Sequence, residues 1–243
     1  MAAIYLANPS RFLTLVNRVL PWLAAITIAL FAIGLVRTLH APDDYQQGAT
    51  VKIMFIHVPA AWLSMMGWGV MSVAALGTLV WRHPLADVAG KAAAPVGAAF
   101  TFICLVTGSL WGRPTWGTYW VWDARLTSVL VMFLLYLGVL ALYWTAEDPG
   151  RGSRAAAVLT LVGAVNIPII KFSVDWWNTL HQPASILRMG GNAIDPSILW
   201  PLLIMAAAFT LLFFTLHLGA MRNEILRRRV RSMRIMQAQE ARA

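Results

Sequence analysis

Residues 116–128 read WGTYWVWDARLTS, setting Trp116, Trp120 and Trp122 around a tyrosine and following them at once with Asp123 and Arg125. Rings at this density can anchor a chain at a lipid interface, fill a core, or offer a face to a large flat ligand. On a helix Trp116, Trp120 and Asp123 would share a side; on an extended segment Trp116, Trp120 and Trp122 would. Either way Trp116 and Trp120 project together, and the Arg125 guanidinium lies a few residues on. Paired rings beside a cation suit a flat apolar ligand with an anionic edge. Two histidines share that neighbourhood by pattern: His57 in FIHVPAAW and His181 in WWNTLHQP. Neutral imidazoles approaching from opposite sides can take both axial positions of a haem iron. A single histidine at a helix end is more often a hydrogen-bonding structural residue.

Whether these residues can meet depends on the elements that carry them. Of 243 residues 59% are hydrophobic and only 12% charged, far from a soluble domain's balance. Six apolar runs, at 19–39, 57–81, 92–111, 127–145, 155–171 and 197–219, approach or exceed the length that crosses a bilayer as helix. The fold class is therefore an all-α membrane protein of six transmembrane helices with a tryptophan-rich outer loop. The fifth run is the weakest, being short and carrying Asn166 and Pro168. No linker or fixed-period repeat divides the chain, so 1–243 reads as a single membrane domain with a basic tail at 222–243. The first run starts late, behind Arg11 and Arg18, and reads as an uncleaved span rather than a signal peptide.

Charge sets the orientation. The net charge of +9 does not imply nucleic acid, because seven of the 19 Lys and Arg residues lie between Arg222 and Arg242. The side bearing the termini carries 13 of them and the other side six: Arg37, Lys52, Arg113, Arg125, Lys171 and Arg188. Without the tail the sides tie, so the tail decides that both termini are cytoplasmic. The tail itself, with Leu226, Val230, Met233 and Gln237 on one stripe, reads either as a surface-lying helix drawn to anionic lipid or as a plain positive-inside stop. The tryptophan loop, the 40–56 loop and the 172–196 loop then face outward together.

Several chemistries are absent from the sequence. Cys104 is the one cysteine, so no disulfide within the chain, CxxC pair or CxxCH haem attachment exists. No GxxxxGK[ST] loop is present for nucleotide phosphates. Eight tryptophans fall at or near the outer side (62, 111, 116, 120, 122, 176, 177 and 200) against three at the inner side (22, 81 and 144). An interfacial belt should populate both sides, although belt anchoring suits Trp62 and Trp200. His40 sits among Pro42, Asp43 and Asp44 in a hydrophilic stretch, and His83 and His217 belong to the inner side. Lys52 and Arg125 are outward cations that could pair with the two haem propionates or simply snorkel to the interface.

WGTYWVWDARLTS, FIHVPAAW and VDWWNTLHQP together resemble the haem-handling protein family defined by a tryptophan-rich WWD signature. Across all six spans the chain is most similar to the haem exporter protein C branch of bacterial cytochrome c maturation. The resemblance implies a non-enzymatic protein of the inner membrane that binds haem b without covalent attachment. It presents haem at the outer surface to a periplasmic haem chaperone. An ATP-binding-cassette complex and a small single-span subunit are the other implied partners. His57 and His181 stand where the family has axial ligands, and Trp116, Gly117, Trp120, Trp122 and Asp123 stand in its signature. Lys52 supplies a cation but not the planar fork of an arginine.

Two other functions compete. A b-type electron-transfer subunit normally has histidine pairs on facing helices inside the membrane, and no span shows one. A channel for a dianionic porphyrin should place cations or polar groups inside several spans, where only Asn166, Lys171 and scattered Thr and Ser occur.

Overall fold

The computed structural model describes residues 7–182 and 194–241. Arg188 and Arg242, both counted in the charge balance, lie outside the described residues. The chain is helical nearly throughout: α1 (Pro9–Leu39), a 3-10 turn (Ala49–Ile53), α2 (Met54–Leu79), α3 (Ala86–Trp116), α4 (Ala124–Thr145), α5 (Pro149–Gly163), α6 (Asn166–Trp176) and α7 (Pro196–Glu240). Among the described residues six segments are long and apolar enough to cross a membrane, with α5 and α6 together making the fifth.

Two departures from the apolar runs have clear local causes. Helix α1 begins ten residues before the run because Asn8 caps it, its side chain accepting from the Ser10 amide at 2.8 Å with Pro9 at the first helical position. The weak fifth run is two helices end to end. Pro168 has no N–H, so the Ala164 carbonyl cannot take its usual partner and accepts from the Ile167 amide at 3.1 Å instead. Buried Asn166 secures the break by donating to the Ser128 carbonyl at 2.8 Å.

The basic tail is not a separate surface-lying helix. It continues the last span without interruption, giving α7 45 residues, or about 68 Å at helical rise, against about 30 Å of hydrocarbon. No glycine or proline interrupts residues 220–240, which are rich in helix formers. Side chains hold α7 antiparallel to α1. Arg229 reaches Ser10 at 2.7 Å, Arg222 reaches Asn17 at 2.8 Å and Thr215 meets Thr27 at 3.2 Å. Arg228 also forks onto Asp87 of α3 at 2.9 and 3.1 Å.

The centre of the bundle is packed by small residues that let helices approach. Fully buried Tyr136 of α4 donates to the Ser64 carbonyl of α2 at 2.8 Å and lies edge-on to Trp68, whose indole donates to the Thr160 carbonyl at 3.0 Å. Gly97 of α3 makes room for the Tyr136 ring, and Gly67 of α2 stands 3.2 Å from the Gly97 backbone, measured from where a Cβ would sit. A methyl on Gly97 would occupy the Tyr136 hydroxyl. Gly97→Ala should therefore lose about 1–3 kcal/mol through overpacking, read as a lowered thermal midpoint in detergent. Gly69→Ala, which meets nothing within 4 Å, should leave it unchanged.

Because consecutive spans alternate in direction, the start of α2, the end of α3, the start of α4, the end of α6 and the start of α7 meet at one end. The described chain termini lie at the other.

Candidate functional site

Helix α3 ends at Trp116 because Gly117 turns left-handed, at φ 77°. Its amide donates to the Arg113 carbonyl at 3.1 Å, while the Arg113 guanidinium closes on the Gly117 carbonyl. The signature is thus neither a helix nor one strand, but a helix end, a turn and a short loop. Ser109 folds that loop back by donating to the Tyr119 carbonyl at 2.9 Å. Asp123 closes it as the cap of α4, accepting from the Leu126 amide at 2.8 Å. Trp116 on the last turn and Trp120 in the loop face one cavity, while Trp122 stands edge-on to Trp120 at 5.6 Å and is 75% exposed.

His57 is in the first turn of α2. Its Nδ1 lies 3.1 Å from both the Cys104 carbonyl and the Thr107 hydroxyl of α3. Thr107 spends its own hydroxyl hydrogen on the Ile103 carbonyl at 2.6 Å. A carbonyl only accepts, so the network assigns the hydrogen to Nδ1 and leaves the Nε2 lone pair free. Gly108 supplies the space, since a Cβ there would stand 2.8 Å from the His57 Cε1. Trp111 stands edge-on to the imidazole at 5.7 Å, and its indole donates to Gln47 at 2.8 Å.

His181 repeats the arrangement from the segment after α6. Its Nδ1 is 2.9 Å from the Gln182 carbonyl and its ring 6.3 Å from that of Trp116. The Arg125 Nη1 also lies 3.4 Å from the same Nδ1, and two donors cannot satisfy each other. The shorter carbonyl contact sets the tautomer, and Nε2 is again the free nitrogen. Burial, reinforced by the Arg125 charge, holds His181 below the ordinary histidine range, with the Gln182 carbonyl and Asp123 opposing. A neutral imidazole with an open nitrogen follows at neutral pH. Arg125 is fixed by donating to the Ser173 hydroxyl at 2.9 Å and the Lys171 carbonyl at 3.2 Å, so Asp123 acts as a helix cap rather than as its ion-pair partner.

These groups line a cavity of about 410 Å³ that takes in His57, His181, Trp116, Trp120 and Arg125. Its deeper wall is apolar, with Met65, Leu105, Val129 and Leu202. Gly117, Trp122, Asp123 and Lys52 are outside the lining. Lys52 instead pairs with Asp43 at 3.6 Å. Lys171 and Asp175 line the cavity and were not singled out by sequence, nor were Trp111, Gly108 and Gln47. Lys171 was visible as an outer cation, and Trp111 as one of the outer rings. Nothing in the sequence pairs Gly108 with His57. Among the described residues, two buried polar atoms of the signature, Trp120 Nε1 and Asp123 Oδ2, have no hydrogen-bond partner.

Fold and cavity define a multi-pass membrane protein with a chamber at one end of its helices, lined by aromatic rings and by two histidines. The family model described as heme exporter protein C matches residues 2–236, and the chain belongs to that family. It is 76% identical over 238 residues to the heme exporter protein C of Bradyrhizobium diazoefficiens, covering 98% of this chain and 90% of that one. It is 48% identical over 222 residues to that of Escherichia coli strain K12, covering 91% and 89%. It is 45% identical over 228 residues to that of Paracoccus denitrificans, covering 93% and 95%.

Proposed function

We propose that the chain binds haem b non-covalently in this cavity and passes it to a periplasmic haem chaperone for c-type cytochrome assembly. The observation that carries the reading is the matched pair of histidines. Each has Nδ1 engaged by a backbone carbonyl and Nε2 free, on separate elements facing one ring-walled space. Second-partner bonds of this kind fix the tautomer that ligates iron. Among the described residues no group of three or more His, Cys, Asp or Glu gathers as a bare metal-ion site. Two imidazoles alone are what a porphyrin iron requires, since the macrocycle supplies its other donors.

Trp116 and Trp120 would flank the macrocycle, and Arg125 with Lys171 would receive its carboxylates, with Lys52 a further cation near the rim. The open Trp120 Nε1 and Asp123 Oδ2 fit a loop completed by ligand or partner, because a buried unpaired polar atom costs about 1–3 kcal/mol. The family resemblance supports the chaperone, the ATP-binding-cassette complex and the small single-span subunit as partners, and the inner membrane as location. No bond chemistry is assigned to the chain. Purified protein should show a b-type haem spectrum that transfers to added apo-chaperone; haem that never leaves would leave binding intact and overturn delivery.

Orientation is a separate expectation. With the termini cytoplasmic, a periplasm-dependent reporter should be active when fused after residue 120 and silent after residue 243. The reverse pattern would invert the topology and place the cavity on the cytoplasmic side.

A further inference from the structure

A second cavity, of about 310 Å³, lies between α3, α4 and α7 at the opposite end of the bundle. Lys91 and Gly108 are seventeen residues apart on α3, which separates the two sites by about 25 Å along the helix. This cavity is polarised along the bundle. Towards the terminal end it holds Lys91, Asn223 and Arg227; one to two turns towards the bilayer centre it holds Pro95 and Leu140. Trp144, 70% exposed, stands beside it where an interfacial ring would.

We propose that this is a binding site for an anionic phospholipid of the leaflet at the terminal end. Lys91 is preset, held 3.2 Å from Glu224 and 5.9 Å from the centre of the Tyr143 ring. Glu224 does not reverse the sign, because it also takes Arg227 at 2.6 Å and Arg228 at 2.9 Å. With Asp87 occupied by Arg228, three cations face two carboxylates. The exposed Arg227 and the Asn223 amide give a phosphate further donors from the open side. Acyl chains then lie against Pro95 and Leu140. A basic pocket between spanning helices is a recurring setting for lipid headgroups, and the apolar floor distinguishes this one from a site for free phosphate.

The site does not depend on what the first cavity binds. The test is native mass spectrometry of the full chain in detergent, titrated with phosphatidylglycerol, phosphatidylcholine or inorganic phosphate. Wild type should retain phosphatidylglycerol in preference to phosphatidylcholine. Arg227→Gln with Asn223→Ala should weaken retention by about fivefold or more, at roughly 1 kcal/mol per surface cation. Ala220→Leu, which fills the cavity without changing charge, should weaken it as well. Arg231→Gln with Arg234→Gln, on the exposed tail, should not. Equal retention of the two lipids, wild-type retention by the first double variant, or competition by inorganic phosphate at lipid-like concentration would each overturn the proposal. Lys91→Gln leaves Glu224 short of a partner, so the exposed Arg227 variant carries the test if the Lys91 protein does not fold.

Discussion

With His57 and His181 both replaced by alanine, the purified protein should retain roughly tenfold less haem or worse, and what remains should lack a bis-imidazole spectrum. Each imidazole is aimed by one carbonyl bond, to Cys104 at 3.1 Å and to Gln182 at 2.9 Å. Neither depends on the other for its position, so single variants should differ from the double. His57→Ala or His181→Ala alone should shift the Soret band and leave partial occupancy, rescued by added imidazole in the space vacated. His40 supplies the control. It is exposed at the end of α1, with Nδ1 bonded to the Val36 carbonyl at 2.8 Å, so His40→Ala should leave the spectrum alone. A double variant with the wild-type spectrum would end the assignment of both ligands.

A related substitution probes the wall rather than the ligand. Gly108→Val keeps both histidines but drives a branched side chain into the His57 ring, because even a Cβ there stands 2.8 Å from Cε1. The predicted spectrum is that of His57→Ala, although His57 is still present. Nothing in the sequence around Gly108 announces this dependence, which arises only when α2 and α3 are docked.

That contrast shows which features were legible. Apolar runs report burial in lipid, and lipid demands helices whose backbone bonds are internal, so six spans could be drawn without any tertiary information. What the runs cannot report is where a helix stops once it leaves the hydrocarbon. Helix α7 passes through the interface unbroken because its arginines find Asp87, Asn17 and Ser10 on neighbouring helices. Only the docked bundle sets those bonds. The rings of the signature were visible by composition, but their division was not. Gly117 turns the chain, and that turn sends Trp116 and Trp120 to the cavity and Trp122 outward. Likewise Lys52 and Lys171 are equivalent outer cations in sequence, and the fold puts only Lys171 on the cavity wall.

This division of the rings gives the second large effect. Trp116 and Trp120 touch the cavity, and ring contacts of this type contribute about 0.5–1.5 kcal/mol each beyond buried area. Trp116→Ala or Trp120→Ala should therefore weaken haem retention by roughly two- to tenfold while two axial bonds still hold it. Trp122 makes its ring contact with Trp120, away from the lining, and offers the remainder of its surface outward. Trp122→Ala should leave haem content near wild type and lower haem delivered to the chaperone. Asp123→Ala removes the α4 cap, costing about 1 kcal/mol, and should also act on delivery by letting the loop drift. Copurification separates the two readouts, haem on the membrane protein and haem on the chaperone. If all three tryptophans served only as a lipid belt, Phe replacements would be silent and a triple Ala variant that still inserts would load the chaperone normally. A triple variant that retains haem but no longer loads the chaperone would instead place the signature at the hand-over surface.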